Sequence, residues 1–287
     1  MSQRVARRAW TLFEPIHMIV YFVPEAVEAY KGAGLRGSWM GYFASRSAAM
    51  GAVGPEVVTA VFHNFRPSMV SRALPDAWGF STPERVLEAR LAVVDSALRR
   101  LWGDAIASDE LAETADVMVA VAESLHGNGR PLYAAHAGLP VPAAPHLALW
   151  HACTLLREHR FDSHVATLIV SGIDGLDSLV IANAAGSGMD PATIQRMRGW
   201  TEEETGAAAE GLRRRGILDK DNALTVEGRA LKGSIEDTTD NLASDVWERL
   251  EVPERARLFK TLLWLSTLLE NPEGIRYPNA VGVSRPV

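Results

Sequence analysis

Three of the chain's eight histidines fall within fourteen residues, in the run W-H-A-C-T-L-L-R-E-H-R-F-D-S-H from Trp150 to His164. Imidazole titrates near neutral pH and binds borderline metals. His151, His159 and His164, with Glu158 and Asp162 between them, therefore have the composition of an acid–base centre or a polar ligand site. On a helix, His151 and Glu158 are seven apart and share a face, Arg157 adjoins that line, and His159 lies round the side. Phe161-Asp162-Ser163 reads as a new helix start, with Asp162 or Ser163 as cap and His164 in the first turn. The spacing matches no strong metal pattern such as H-E-x-x-H, so no metal is assigned. A structural alternative stands beside the chemical one: ion pairs among Arg157, Glu158 and Asp162, with the histidines hydrogen-bonded at a helix junction.

A second constellation lies near the N-terminus, in W-T-L-F-E-P-I-H-M-I-V-Y-F-V-P-E. Trp10, Glu14, His17 and Tyr21 recur at helical spacing on one face, and Pro15 is expected to kink that helix or mark its start. Further on, G-S-W-M-G-Y-F-A-S-R ends at Arg46, and F-H-N-F-R-P brings His63 and Arg66 among aromatics. Mixed aromatic and polar surfaces of this kind suit a small-molecule site and equally suit a helical interface. Cys153 is a possible nucleophile, but it falls on an apolar stripe where a buried structural thiol is the plainer reading. No activated nucleophile, phosphate loop or dinucleotide fingerprint is present, so no cofactor follows from the sequence.

The elements that must position these residues are helices. Pro24-Glu25, Pro55-Glu56, Thr82-Pro83-Glu84, Asp190-Pro191 and Pro253-Glu254 each open an apolar-periodic stretch, as does Ser108 ahead of Asp109 and Glu110. Val86, Leu87, Leu91, Val94, Leu98 and Leu101 form one amphipathic stripe. Leu147 to Leu156 form a broader one, expected to be buried on much of its surface. About a dozen helices are expected, with two short strands near residues 216–225. The proline-rich stretch from Leu139 to Pro145 cannot be helical and divides the chain into an N-terminal helical domain, 1–139, and a second helical domain, 140–287.

Residues 188–242 carry the most specific pattern. Asp190-Pro191 opens a short helix that closes at Gly199-Trp200, and Thr201 caps a second helix with Glu204 completing a capping box. L-R-R-R-G-I-L, a polar turn and L-T-V-E-G-R-A-L follow. This order resembles the winged helix of MarR-type regulators. The resemblance implies a mainly α fold: a helical N-terminal layer packed on a MarR-like winged helix with one small β-hairpin wing. The segments F-E-P-I-H, Y-F-V-P-E, G-Y-F-A-S-R, the Trp150–His164 run and R-G-W-T-E-E-E are, over nearly the whole chain, similar to an uncharacterised actinobacterial helix-turn-helix family. That similarity implies one architecture and carries over no reaction.

Charge argues against tight DNA binding. The chain has a formal net charge of −6, and residues 188–250 hold nine Arg or Lys against thirteen Asp or Glu, a net of −4. Glu202, Glu203 and Glu204 would open a recognition helix toward phosphates, and affinity for DNA rests largely on basic side chains. The single cysteine fits a reducing cytoplasm, and no stretch of eighteen or more apolar residues would span a membrane. The leading expectation is a cytoplasmic small-molecule-binding protein whose ligand site draws on His17, Arg46, His63, Arg66, His151, Arg157, Glu158, His159, Asp162 and His164. The basic members favour an anionic or carbonyl-bearing ligand. One alternative is an enzyme with His151 or His164 as acid–base group and Glu158 or Asp162 orienting it. Another is a DNA-binding regulator, possible as a homodimer, with a basic surface from Arg4, Arg7 and Arg8.

Overall fold

Helix starts fall where the sequence places prolines and capping residues. Pro55, Pro67, Pro83, Pro131, Pro145, Pro191 and Pro253 sit in first turns, where an imino nitrogen costs no hydrogen bond. Thr82, Ser108, Asp174, Asp190, Thr201 and Thr225 each accept the backbone N–H three residues on. The computed structural model describes residues 2–277, 279 and 283–287, and among them sixteen α-helices follow one another. The first nine are α1 (Ser2–Met18), α2 (Glu25–Gly32), α3 (Gly37–Ser47), α4 (Pro55–Phe62), α5 (Pro67–Val70), α6 (Ala77–Phe80), α7 (Pro83–Trp102), α8 (Asp109–Glu123) and α9 (Pro131–Ala137). The rest are α10 (Pro145–Val170), α11 (Gly175–Ala184), α12 (Pro191–Arg198), α13 (Glu202–Arg214), α14 (Val226–Asn241), α15 (Asp245–Glu248) and α16 (Val252–Leu268).

α10 is the axis of the molecule. Its 26 residues span about 39 Å at 1.5 Å per residue. It packs on α1, α7, α8, α9 and α14, so apolar residues are needed all round it rather than on one stripe. The largest core joins α1, α7, α8, α10, α15 and α16 around Leu12, Ile16, Leu98, Leu149 and Leu262. A second, rich in rings, gathers Phe43, Phe62, Phe65 and Leu74 from α3 to α7. The third belongs to the C-terminal part: Leu168 and Ile173 meet Leu179, Ile194, Leu212 and Leu224.

Three local expectations are corrected. There is no break at Phe161-Asp162-Ser163, because α10 runs through to Val170. The side chains that resembled caps are used otherwise: Asp162 accepts the Tyr133 backbone N–H (2.9 Å) across the interface with α9, and the Ser163 hydroxyl donates back to the His159 carbonyl (2.8 Å). Pro15 does not start a helix but lies inside α1. The two strands expected near 216–225, and with them the β-hairpin wing, reduce to a single antiparallel bridge between Leu218 and Leu224. The reason is the turn: Asp219 Oδ1 accepts the N–H groups of Asp221 and Ala223 (2.9 Å each), and Asn222 takes φ 62°. Too few residues remain to extend a ladder. Among the described residues no strand is formed, and no single helix is long and apolar enough to cross a membrane.

α12 and α13 are held to the N-terminal half by hydrogen bonds to main-chain carbonyls. The Arg66 N–H donates to the Arg198 carbonyl (2.9 Å) and Trp200 Nε1 donates to the Asn64 carbonyl (3.0 Å). Gly175, the first residue of α11, lies so close to the chain at His63 that a Cβ there would stand 2.0 Å from the His63 carbonyl oxygen. These contacts bring α3, α10 and α12 to face one another.

Candidate ligand-binding site

A cavity of about 1180 Å³ lies between α1, α3, α10, α11, α12 and α14, with the C-terminal segment at its rim. α10 lends it one face: Arg157, Arg160, Phe161 and His164 follow the i, i+3, i+4, i+7 rule of a single helical stripe. Trp10, Tyr21, Trp39, Tyr42 and Phe65 supply aromatic walls. The rings of Tyr42 and Phe65 lie 5.6 Å apart, and those of Trp39 and Tyr42 5.7 Å apart. The lining carries six arginines (46, 157, 160, 196, 198, 285) and three carboxylates (Glu14, Asp190, Glu236), a formal net of +3 in a chain whose total is −6.

At and beneath the cavity floor the polar groups form a buried lattice. Arg157 Nη1 donates to Glu158 Oε2 (2.7 Å), and its Nε lies 3.6 Å from Glu14 Oε1. Trp10 Nε1 donates to the other Glu14 oxygen (3.1 Å). Arg46 Nη1 donates to the Tyr42 hydroxyl (3.2 Å) and its Nη2 stands 3.6 Å from Glu158 Oε2. The two buried carboxyls titrate in opposite directions. Burial raises Glu14, reinforced by neighbouring Glu158 and only partly relieved by Arg157. Glu158 also feels burial, but the guanidiniums of Arg157 and Arg46 outweigh it and hold the carboxylate well below its ordinary range. Burial pushes the Tyr42 phenol up, yet Arg46, Arg198 and Arg157 together make it more acidic than an ordinary tyrosine.

Positive charge exceeds what these carboxylates neutralise. Arg90 is buried and donates to the Tyr21 hydroxyl (3.2 Å) and Ser45 Oγ (3.5 Å). Its guanidinium stacks on the Tyr21 and Trp150 rings at 5.4 and 5.3 Å. Arg198 donates to the Met197 carbonyl (3.0 Å) and lies 4.6 Å from the Phe65 ring centroid. Neither has a carboxylate within 4 Å among the described residues. The Nε and Nη2 of Arg46 and the Nε of Arg198 are buried donors without a hydrogen-bond acceptor. Such donors cost free energy unless something satisfies them.

His17 is fixed as a neutral ring. Thr154 Oγ1 donates its one proton to the Trp150 carbonyl (3.0 Å), so at 3.0 Å it accepts from His17 Nδ1–H. His17 Nε2 then accepts from the Tyr21 hydroxyl (3.2 Å), which itself accepts from Arg90. Burial and the adjacent Arg157 depress His17 well below an ordinary histidine, consistent with that chain of donors.

Among the residues expected from sequence, Arg46, Arg157 and His164 line the cavity, and His17 and Glu158 lie in the lattice behind them. The others are placed elsewhere. His151 packs toward His136 and is lowered to about 4, chiefly by burial. His159 sits edge-on to Tyr133 and is lowered to about 3, again by burial. Asp162, raised to about 7 by burial, receives the α9 start. Arg66 pairs with Glu204 (2.9 Å) on the outside of the α12–α13 turn. His63 takes φ 59°, ψ −50°, an unfavourable backbone region for a residue with a Cβ, where it packs on Gly175. Neither Glu158 nor Asp162 hydrogen-bonds a histidine, so neither orients one. Among the described residues no group of three or more His, Cys, Asp or Glu is placed to hold a metal ion.

Residues 6–271 match a family described as a helix-turn-helix family. The chain belongs to that family. No curated protein and no solved structure matches it. In this helix-turn-helix protein the lining residues outside the sequence candidates include Tyr42, Arg198, Glu236 and Thr239, with Arg90 behind them. Arg90 had a legible signal: it lies on the 86, 90, 94 line of the α7 stripe, a charge at a position that must be buried. Arg198 had none, because a basic residue at the last turn of a helix is ordinary complement to the helix dipole.

Proposed function

We propose that this helix-turn-helix protein binds a small organic anion with a flat apolar body in the cavity between α3, α10 and α12. The observation that carries the reading is the pair Arg46 Nε and Arg198 Nε, buried guanidinium nitrogens without a hydrogen-bond acceptor, framed by Tyr42, Phe65 and Phe161. A carboxylate seated there would satisfy those donors in the bidentate manner guanidinium favours, and the rings would cover an aromatic body. Native mass spectrometry of the purified protein, followed by thermal-shift titration with aromatic carboxylates, tests it. The expected result is a stabilisation that Arg46→Gln and Arg198→Gln abolish. If no organic anion stabilises the wild-type protein and nothing co-purifies with it, the reading is wrong.

Family membership favours a second reading, DNA binding through the helix-turn-helix of α12 and α13, which we take, by its resemblance in sequence, as MarR-like. We take this as weak and salt-sensitive, in a cytoplasmic protein. Glu202 and Glu203 are exposed at the start of α13, while Glu204 is spent on its own capping box and on Arg66. Arg7 cannot lend the basic surface proposed for a dimeric regulator, since it is paired with Asp240 and Glu236 (2.8 and 2.7 Å).

A further inference from the structure

The cavity is polarised along α10. At one end stand the Arg46 and Arg198 nitrogens without acceptors and the Tyr42 hydroxyl, beside a Glu14 carboxyl that Trp10 and Arg157 already hold. At the other end stands His164, seven residues and about 10 Å along the helix from Arg157. The proton position on His164 follows from its partner. Thr239 Oγ1 donates its single proton to the Ile235 carbonyl (2.8 Å), so at 3.1 Å it must accept from His164 Nδ1–H. Nε2 is left as a lone pair on a residue that lines the cavity, and Glu236 lines it as a second acceptor.

The cations at this end are already committed. Arg160 pairs with Asp240 (2.7 Å), and Arg7 and Lys232 pair with Glu236 (2.7 and 3.5 Å). Three cations against two carboxylates leave no excess negative charge to attract an ammonium group. A neutral donor is the complement of an imidazole lone pair in such surroundings.

Resting on the organic-anion reading above, we infer that the ligand is a hydroxylated aromatic acid. Its carboxylate meets Arg46 and Arg198 with Tyr42, its rings lie against Trp39, Phe65 and Phe161, and a hydroxyl at its far end donates to His164 Nε2. Thr239 is the positioning residue, because its hydroxyl decides which imidazole nitrogen is the acceptor.

Three rigid probes test this on the full chain by quenching of the fluorescence of Trp10 and Trp39, checked by calorimetry: 4′-hydroxybiphenyl-4-carboxylate, biphenyl-4-carboxylate and 4-hydroxybiphenyl. The hydroxy acid should bind about 3- to 10-fold more tightly than the parent acid, the range expected for one neutral hydrogen bond. The phenol without a carboxylate should bind weakest. His164→Leu should make the two acids equal, and Thr239→Val should shrink their ratio. Arg46→Gln should weaken both acids and keep the ratio. Thermal denaturation establishes that each variant is folded, and Thr239→Val serves if His164→Leu is not. Equal binding of the two acids to wild type, or a preference that survives loss of the imidazole, overturns the hydroxyl assignment alone. Binding of neither acid overturns the anion reading and this inference with it.

Discussion

Replacing Glu158 by Gln removes the one carboxylate that both Arg157 and Arg46 approach, at 2.7 and 3.6 Å, from a position with no solvent exposure. Two guanidiniums then remain buried with Arg90 and Arg198 nearby and only Glu14 to offset them. Deleting one partner of a buried ion pair costs about 3–5 kcal/mol, because the remaining charge keeps its desolvation penalty. For 287 residues the unfolding entropy is about 0.6 kcal/mol per kelvin near the transition, so the expected fall in melting temperature is about 5–8 °C. Circular dichroism at pH 7 measures it. The folded carboxylate titrates below its unfolded value, so its contribution is complete above the unfolded range near pH 4.3 and disappears as pH falls through the folded value. The difference between wild type and Glu158→Gln should therefore narrow below about pH 4. A second substitution, Arg46→Gln, should recover part of the loss, since the two side chains share one charge balance. A melting temperature within about 1 °C of wild type at pH 7 would refute the reasoning. It would mean that the desolvation of these charges already cancels their attraction.

Acid should weaken the fold already above the range in which ordinary carboxylates titrate. Burial depresses His17, His136, His151, His159 and His164, so the unfolded chain takes up protons below about pH 6.5 that the folded chain refuses, down to about 4 for His151 and His164. Asp162, Glu14 and Asp177, all raised, oppose this but are fewer. The urea midpoint should be lower at pH 5 than at pH 7, and an unchanged or higher midpoint contradicts the assignment. Gly175→Ala should cost about 3 kcal/mol or more, because the new Cβ meets the His63 carbonyl backbone rather than a side chain that can move; an unaltered denaturation curve would disprove that packing. Arg66→Ala should lower stability by no more than about 1 kcal/mol, as befits a half-exposed ion pair, yet speed hydrogen exchange in the first turn of α13. Unchanged exchange there would show that Arg66 does not tether the helix. In a band-shift assay against its own promoter region, only weak retardation that vanishes at physiological salt is expected; nanomolar binding that survives competitor DNA would reverse the charge argument.

Helix starts, caps and the capping box at Thr201 and Glu204 could be read from sequence because they are local: each needs one side chain and a backbone donor three residues away. The mainly helical class followed from the same signals, and the breadth of the stripe at Leu147–Leu156 announced that α10 is enclosed. The composition of the 150–164 run correctly marked a stretch dense in buried ionisable groups. It could not say which of them share a space. That depends on which helices approach α10: α3 brings Arg46, α12 brings Arg198 and α14 brings Thr239. The apparent cap at Asp162 was misread for the same reason, since its partner, the Tyr133 N–H, lies 29 residues back in sequence and meets it only after α9 packs on α10. Sequence spacing determines which face of a helix a residue occupies; only tertiary packing decides what stands opposite that face, and so whether a charge is paired, orphaned or presented to a ligand.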